Sequence, residues 1–193
     1  MHTDFSLRRF VQELASDKPY PGGGSAACLV GALGVALSLM VGRIVQKRKK
    51  KSDEKQKIKG LDSILNDLSK LQNAAIRSVD GDIRSYKKVV QAYSLKKGSR
   101  GRAVKIEKAL KGGYLFQKNF AATLLKAKRA QKYLERVAQG SIASDLILSK
   151  HFLKASFLGA IQTARINLEY MKDKVFRDRE SKTLVSLAKQ FER

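Results

Sequence analysis

The sequence predicts an all-α fold, a multi-helix bundle, and three observations support this prediction. The 193 residues include only two prolines, so long stretches carry no strong helix breaker. Apolar residues make up 43% of the chain, which is enough to build one hydrophobic core. Apolar positions recur at spacings of three and four residues, whereas the alternation typical of β-strands is not found. We therefore expect a single helical domain over residues 1–193.

The N-terminal region predicts a short helix followed by a connector. Thr3 or Asp4 can cap the first helix, and an apolar stripe continues to about Ala15. Residues 16–21 are predicted to connect it to the next helix, because the residue before a proline disfavours helical geometry. Three glycines then form a turn.

A helix is predicted next over residues 25–46, and it carries no charged side chain before Arg43. It is apolar on nearly all sides, so it must be buried in protein or in lipid. Its length would span a bilayer, and the basic run KRKKK at residues 47–51 would suit one end. Small residues at three- and four-residue steps instead favour close contact with another helix. These small residues are Ala27, Gly31, Gly34 and Ser38.

The remaining chain predicts amphipathic helices around a second apolar one. We expect one or two long helices over residues 52–95, a loop over residues 96–102, and a short helix over residues 103–111, stopped by Gly112 and Gly113. Further helices are predicted over residues 115–139, 144–173 and 183–191. The low charge of residues 144–164 marks that helix as the second buried one, packed against the first.

The chain is strongly basic, with 40 Lys and Arg against 17 Asp and Glu and a formal charge of +23. This field favours a polyanionic partner, such as nucleic acid, an acidic membrane surface or an anionic small molecule. No nucleic-acid-binding motif or set of stacking aromatics is evident, so nucleic acid is the minority interpretation. Cys28 is the single cysteine, which excludes an intrachain disulfide, and with two distant histidines a zinc site is not expected. We expect a cytoplasmic protein.

Two features are candidates for a binding or catalytic site. The PGGGS turn at residues 21–25 precedes a helix, so its free N–H groups suit an anion, although a plain capped turn explains the pattern equally well. Asp82 and Asp145 lie in apolar or periodic segments of a chain with few acids. Asp145 has the alternative role of an N-cap, and Asp82 that of an exposed helix acid beside basic neighbours.

Several blocks together resemble the cyclodeaminase/cyclohydrolase family. The longest are ASDKPYPGGGSAA at residues 15–27 and GALGVALSLMV at residues 31–41. Asp82 with the following Ser85 and Tyr86, the pair at residues 144–145, and TARINL at residues 163–168 match later blocks in the same order. Position 163 is threonine where the family pattern has asparagine.

The resemblance implies a dimeric all-α enzyme of folate one-carbon metabolism that needs neither metal nor cofactor. The implied reaction is hydrolysis of 5,10-methenyltetrahydrofolate to 10-formyltetrahydrofolate, and the apolar helix becomes a core helix rather than a membrane span. Asp82 and Asp145 are the implied catalytic residues. The implied substrate-binding residues are Pro21, Gly22, Gly23, Gly24, Ser25, Tyr86, Lys88, Lys96, Lys97 and Asn167. The positive field would attract a polyglutamylated folate.

Two alternatives stay open from the sequence. One is the cyclodeaminase reaction, in which formiminotetrahydrofolate closes its ring and releases ammonia through similar tetrahedral species. The other is a non-catalytic basic helical module that binds RNA or an acidic partner. Substitution of Asp82 separates an enzyme from a basic module. An enzyme should lose turnover, whereas a module should keep its binding nearly unchanged.

Overall fold

The computed structural model describes residues 1–51 and 60–193, and in this part of the chain every regular element is helical. A 3₁₀ turn at His2–Asp4 precedes six α-helices. The helices are α1 (Leu7–Leu14), α2 (Gly23–Lys51), α3 (Leu61–Ser94), α4 (Arg102–Glu135), α5 (Ile142–Glu169) and α6 (Lys174–Glu192). The prediction of an all-α bundle is confirmed.

Helices α2 to α5 form a four-helix bundle in which each helix packs against its neighbours in the order α2, α3, α4, α5 and back to α2. Gly24 of α2 lies beside Asp82 of α3, whereas Gly42 lies beside Leu65, so these two helices run antiparallel. The other neighbouring pairs are antiparallel as well, as expected when short connections join successive helices. The start of α2 at Gly24 therefore lies beside the middle of α3 at Asp82, which in turn contacts the middle of α4 at Gln117.

Small residues bring α2 and α5 close together, as the sequence predicted. A Cβ on Gly31 would lie 2.5 Å from Ser156 Oγ, and a Cβ on Gly159 would lie 2.9 Å from Ala27 Cβ. The buried hydroxyls of Ser38 and Ser149 hydrogen-bond to each other across the same interface at 2.7 Å. The two backbones approach closely because hardly any side chain stands between them.

The N-terminal turn and α6 pack on the outside of the bundle. The buried carboxylate of Asp80 on α3 accepts hydrogen bonds from the backbone N–H of His2 and the hydroxyl of Thr3, both at 2.6 Å. On the other side, the buried carboxylate of Glu180 on α6 accepts from Lys118 at 2.8 Å and also from the hydroxyl of Tyr114. These two buried acids fasten both ends of the chain to the bundle.

The prediction that Gly112 and Gly113 stop a helix is wrong, because α4 runs through them from Arg102 to Glu135 without a break. Neither glycine has a positive φ, whereas Gly98 and Gly101, in the connection before α4, both do. Gly113 is buried, and a Cβ there would lie 2.8 Å from Asn167 Oδ1. Tertiary packing thus gives this glycine its role and overrides the helix-breaking tendency.

Other boundaries shift while the helices remain. The last helix, predicted over residues 183–191, begins at Lys174, where Asp173 caps it by accepting from the backbone N–H of Phe176 at 3.0 Å. The first begins at Leu7, with Ser6 rather than Thr3 or Asp4 as its cap. Residues 52–59, predicted to start the long third helix, lie outside the described residues.

Helix α2 is the one described helix that is long and apolar enough to cross a membrane, with a mean hydropathy of 2.1 in its most apolar window. Of that window, 56% is buried within the bundle. Cys28, Val35 and Val41 are fully enclosed, whereas Leu33 and Met40 are 46% and 38% exposed. The helix therefore gives one face to the core of this chain and keeps an apolar face outside it.

Candidate active site

Asp82 lies against the glycine-rich turn, as the sequence predicted. A Cβ on Gly24 would stand 2.5 Å from Asp82 Oδ1 and 2.7 Å from Oδ2, so only glycine allows the carboxylate to approach so closely. Asp82 lies in the middle of α3 and is 9% exposed. The glycine at position 24 is therefore needed for the acid's position rather than for the turn alone.

Two neutral groups hold the Asp82 carboxylate. Gln117 Nε2 on α4 donates to Oδ1 at 2.6 Å, and the backbone N–H of Ser25 at the start of α2 also donates to the carboxylate. In the described part of the chain, no Lys, Arg or His forms an ion pair with it. Burial raises the pKa of Asp82 to about 6, and the hydrogen bonds from Gln117 and Ser25 only partly oppose that rise.

The N-terminus of α2 thus already faces an anion, and that anion is Asp82. The Ser25 hydroxyl is used within the turn, because it accepts from the Gly22 N–H at 3.0 Å and donates to the Gly22 carbonyl at 2.9 Å. The interpretation of the PGGGS turn as a capped turn therefore fits, while binding of an anionic ligand there stays a prediction. The turn is capped locally, and its helix N-terminus stabilises a carboxylate.

Asn167 of α5 joins the same end of the bundle. Its Nδ2 donates to the Thr163 carbonyl one turn earlier at 2.9 Å, while its Oδ1 faces Gly113. Gly113 precedes Gln117 by one turn of α4, so contacts run from Gly24 through Asp82 and Gln117 towards Asn167. The structure therefore brings Asn167 to the same region as the turn and the acid.

A basic groove of about 770 Å³ opens between α3 and α4 next to this cluster. Gly81 and Phe116, which line the groove, precede Asp82 and Gln117 in the sequence, whereas Asp82 and Gln117 are not themselves among its lining residues. Its charged lining residues are Arg84, Lys88, Lys105 and Lys108, with no acid among the lining residues. We refer to it below as the basic groove.

The other predicted substrate-binding residues are placed as follows. Lys88 lines the basic groove, whereas Lys96 and Lys97 are exposed in the connection that follows α3, just after Leu95 at the groove's end. Tyr86, one turn after Asp82, is 44% exposed. Pro21 is buried at the start of the glycine turn.

Asp145 lies at the opposite end of the bundle within one chain. It is half-buried in the first turn of α5, one turn before Ser149. Ser149 bonds Ser38, which is about 21 Å further along α2 than Gly24 at 1.5 Å per residue. One chain does not bring Asp145 to Asp82.

Sequence reasoning missed Gln117, which contacts Asp82 directly. A glutamine on a basic helix carries no periodic or compositional signal, and the wrongly predicted break at Gly112 and Gly113 separated it from its neighbours. Cys28, in contrast, behaves as expected for a core residue, because it is fully buried and burial raises the pKa of its thiol. Among the described residues, no three His, Cys, Asp or Glu side chains are grouped as a metal site would require.

Comparison with known proteins places these features in a family. A family model described as formiminotransferase-cyclodeaminase matches residues 6–185. The chain is 30% identical to formimidoyltransferase-cyclodeaminase from Mus musculus over 97% of its own length, and it spans 35% of that protein. It is 33% identical to methenyltetrahydrofolate cyclohydrolase from Methylorubrum extorquens over 55% of this chain and 51% of that protein.

A solved structure shares the fold. Formiminotetrahydrofolate cyclodeaminase from Thermotoga maritima superposes with a TM-score of 0.85 over 98% of this chain and 91% of that chain, at 23% identity. Since the family model matches most of the sequence, the chain belongs to the formiminotransferase-cyclodeaminase family.

Proposed function

We propose that the protein hydrolyses 5,10-methenyltetrahydrofolate to 10-formyltetrahydrofolate, with Asp82 as the general base. One observation carries the proposal. In a chain with 40 basic residues, the described structure buries Asp82 between neutral donors and gives it no cationic partner. A buried carboxylate without a counter-charge is costly, and it is suited to a ligand that brings a positive charge.

The substrate has that charge at its reacting carbon. The bridging carbon of methenyltetrahydrofolate lies between two nitrogens in a cationic amidinium, so it is already electrophilic. Ionised Asp82 would be stabilised by the bound cation, which would lower the carboxyl pKa below its value in the free protein. Binding would therefore generate the base in the place where the base is needed.

The proposed step uses water as the nucleophile. The water oxygen forms a bond to the bridging carbon as Asp82 takes one of the water protons. One carbon–nitrogen bond then breaks, the departing nitrogen takes up a proton, and the formyl group stays on the other nitrogen. Asp82 supplies that proton, and the second water proton leaves the carbon-bound hydroxyl for solvent as the formyl C=O bond forms. Asp82 therefore ends ionised as it began, and each turnover releases one proton.

The basic groove provides room for the anionic part of a folate. Its four cations line a space whose wall includes Gly81, the residue before Asp82, and Lys96 and Lys97 continue the positive charge beyond Leu95. A polyglutamate tail would lie there, with the pterin and the bridging carbon placed inward near Gly24 and Asn167. Long-range attraction by the net charge of +23 would speed its capture.

The remaining parts of the proposal concern assembly and environment. We propose a cytoplasmic homodimer that needs no cofactor and does not enter a membrane. The exposed apolar residues of α2 and α5 support the dimer, because Leu33 and Leu158 are 46% and 51% exposed on the two most apolar helices. Asp145 retains its predicted catalytic role only where a second copy brings it to the site.

Asp82→Asn tests the proposal. The ring-opening reaction is followed by loss of the absorbance of the cyclic amidinium, with the rate of spontaneous hydrolysis subtracted. We expect kcat to fall by about 10²–10⁴ in the variant, because general-base catalysis typically contributes this much. Asp145→Asn run beside it reports whether the second acid contributes.

Two outcomes would contradict the proposal. The wild type does not accelerate the reaction, or the Asp82→Asn variant keeps full turnover. Retained salt-dependent binding of RNA in such a protein would instead favour the basic binding module.

Cyclodeamination of formiminotetrahydrofolate is the second candidate, and the same buried acid favours it. Its formimino group is also a cationic amidine, so Asp82 would pair with it equally well. The mouse relative and the solved Thermotoga maritima structure are named for cyclodeaminase activity. Ammonia release from formiminotetrahydrofolate, measured beside the hydrolysis assay, decides between the two reactions.

A further inference from the structure

Gln117 forms the closest side-chain contact of Asp82, and half of its own amide is unused. Its Nε2 donates to Asp82 Oδ1 at 2.6 Å. Its Oε1 is fully buried and, among the described residues, has no hydrogen-bond donor. The side chain as a whole is 1% exposed. Buried amide oxygens are nearly always paired in folded proteins, so an unpaired one beside a candidate base needs an explanation.

The orientation of the amide follows from the chemistry of its neighbour. An ionised carboxylate can only accept hydrogen bonds, so the Gln117 nitrogen must face Asp82 and the oxygen must face away from it. The backbone N–H of Ser25 is the other donor to the carboxylate. The remaining titratable group packed nearby, the Cys28 thiol, is kept protonated by burial. Among the described residues, the Gln117 amide therefore both donates to Asp82 and has an unpaired, buried acceptor.

We propose that Gln117 is a positioning residue: its amide nitrogen fixes the Asp82 carboxylate, and its oxygen accepts a hydrogen from the molecule that Asp82 deprotonates. This inference rests on the proposed function. A water held by both side chains would donate one hydrogen to Asp82 and the other to Gln117 Oε1. Its lone pair would then point away from both, towards the electrophilic carbon.

The same helix offers a matched control. Gln131 lies four turns further along α4 and is also 1% exposed. Its Nε2 donates to the Leu146 carbonyl at 3.2 Å and to Ser149 Oγ at 2.8 Å, far from Asp82. Gln131→Leu therefore reports the structural consequence of losing a buried glutamine of α4 without touching the site.

The experiment compares Gln117→Leu, Gln117→Glu and Gln131→Leu with the wild type in two measurements. The first is the pH profile of kcat/KM for hydrolysis of methenyltetrahydrofolate. We expect Gln117→Leu to lower kcat at least about tenfold and to move the acidic limb to higher pH, because the carboxylate loses a donor. Gln117→Glu should move the limb further, since two buried carboxylates repel each other. Gln131→Leu should leave the limb in place while lowering Tm.

The second measurement is the titration of Asp82 by carboxyl NMR in the ligand-free proteins, which does not require activity. An upward shift of the Asp82 pKa in Gln117→Leu, absent in Gln131→Leu, supports the positioning role. The positioning role is overturned if the Asp82 titration is unchanged in Gln117→Leu. It is also overturned if this variant keeps both the kcat and the acidic limb of the wild type. If the wild type turns over neither folate, the proposed function fails, yet the Asp82 titration still decides whether Gln117 controls this acid.

Discussion

Asp82 is a buried acid whose neutral form the folded protein favours, and this has a consequence for stability. Its pKa rises from 3.8 to about 6 on folding, chiefly because burial disfavours the charged form. Between these two values the folded protein holds a proton that the unfolded chain has released. The contribution of Asp82 to stability is therefore full below pH 4 and falls as pH rises through 6.

Asp82→Asn should remove that dependence on pH. At 1.36 kcal/mol per pKa unit, the shift corresponds to roughly 3 kcal/mol of stability lost by the wild type above about pH 6. We expect the variant to gain stability relative to the wild type as pH rises from about 4 to about 7, measured by urea denaturation. If the free energies of unfolding of variant and wild type differ by the same amount across this range, folding does not raise the pKa of Asp82.

Gly24 is the position where a single methyl group should displace the acid. Gly24→Ala would place a Cβ 2.5 Å from Asp82 Oδ1, so the carboxylate or α2 must move. We expect a loss of about 1–3 kcal/mol in the free energy of unfolding and a fall in kcat, because a base moved by even 1 Å loses its alignment. Activity equal to that of the wild type would contradict the close contact.

Gly23→Ala is the matched control for stability. A Cβ on Gly23 meets nothing within 4 Å, and its φ lies in the range that alanine adopts. We expect it to change the free energy of unfolding by less than about 0.5 kcal/mol, as is usual for surface substitutions.

At the scale of elements, α4 makes three contacts that matter for the site, and its local sequence does not show which residue makes which contact. It places Gln117 at the acid, lines the basic groove with Lys105 and Lys108, and accommodates Asn167 at Gly113. Helical periodicity predicts that such a helix exists, because that signal is local. Which glycine or glutamine faces a neighbour depends on the packing of α3 and α5, which local sequence does not specify.

The same distinction explains what the sequence predicted of the site. The family resemblance was enough to expect Asp82 beside the PGGGS turn, since both belong to recognisable blocks. Gln117 belongs to no such block, and its role arises only from the antiparallel pairing of α3 and α4. Likewise, the break predicted at Gly112 and Gly113 relied on intrinsic propensity of about 1 kcal/mol per glycine, which tertiary contacts readily outweigh.

The paired glycines of α4 allow this explanation to be tested. Gly112→Ala should stabilise the protein by about 0.5–1 kcal/mol, because its Cβ would meet nothing within 4 Å and alanine favours helix. Gly113→Ala should destabilise it, because its Cβ would lie 2.8 Å from Asn167 Oδ1. Thermal unfolding of both variants gives the comparison. Equal effects of the same sign would show that propensity, rather than contact with α5, governs this stretch.

At the scale of the whole molecule, positive charge lies outside and the candidate base inside. The net charge of +23 attracts any polyanion at long range, so attraction alone does not identify a binding site. Two concave surfaces of the described residues are rich in basic side chains. One is the basic groove, and the other lies between α4 and α6, where Lys128, Arg129, Lys132, Lys189 and Arg193 line a second concave region. Of these two, only the basic groove is lined by a sequence neighbour of Asp82, namely Gly81.

Charge removal at each surface should separate local binding from the overall field. Lys88→Gln with Lys108→Gln removes two exposed cations of the basic groove, and Arg129→Gln with Lys189→Gln removes two exposed cations of the second region. Both double variants lose the same net charge. We expect the first to raise KM for a polyglutamylated folate roughly threefold to tenfold at low salt, since each exposed ion pair contributes about 0.2–1 kcal/mol.

The second double variant should raise KM less than the first, because its cations line the other region and act on a ligand in the groove only through the long-range field. Raising the salt concentration should shrink the difference between the two double variants, and a monoglutamate substrate should show a smaller one. KM values that rise equally in both would mean that net charge alone captures the substrate. In that case the tail would have no defined place beside Asp82, and the groove between α3 and α4 would lose its role.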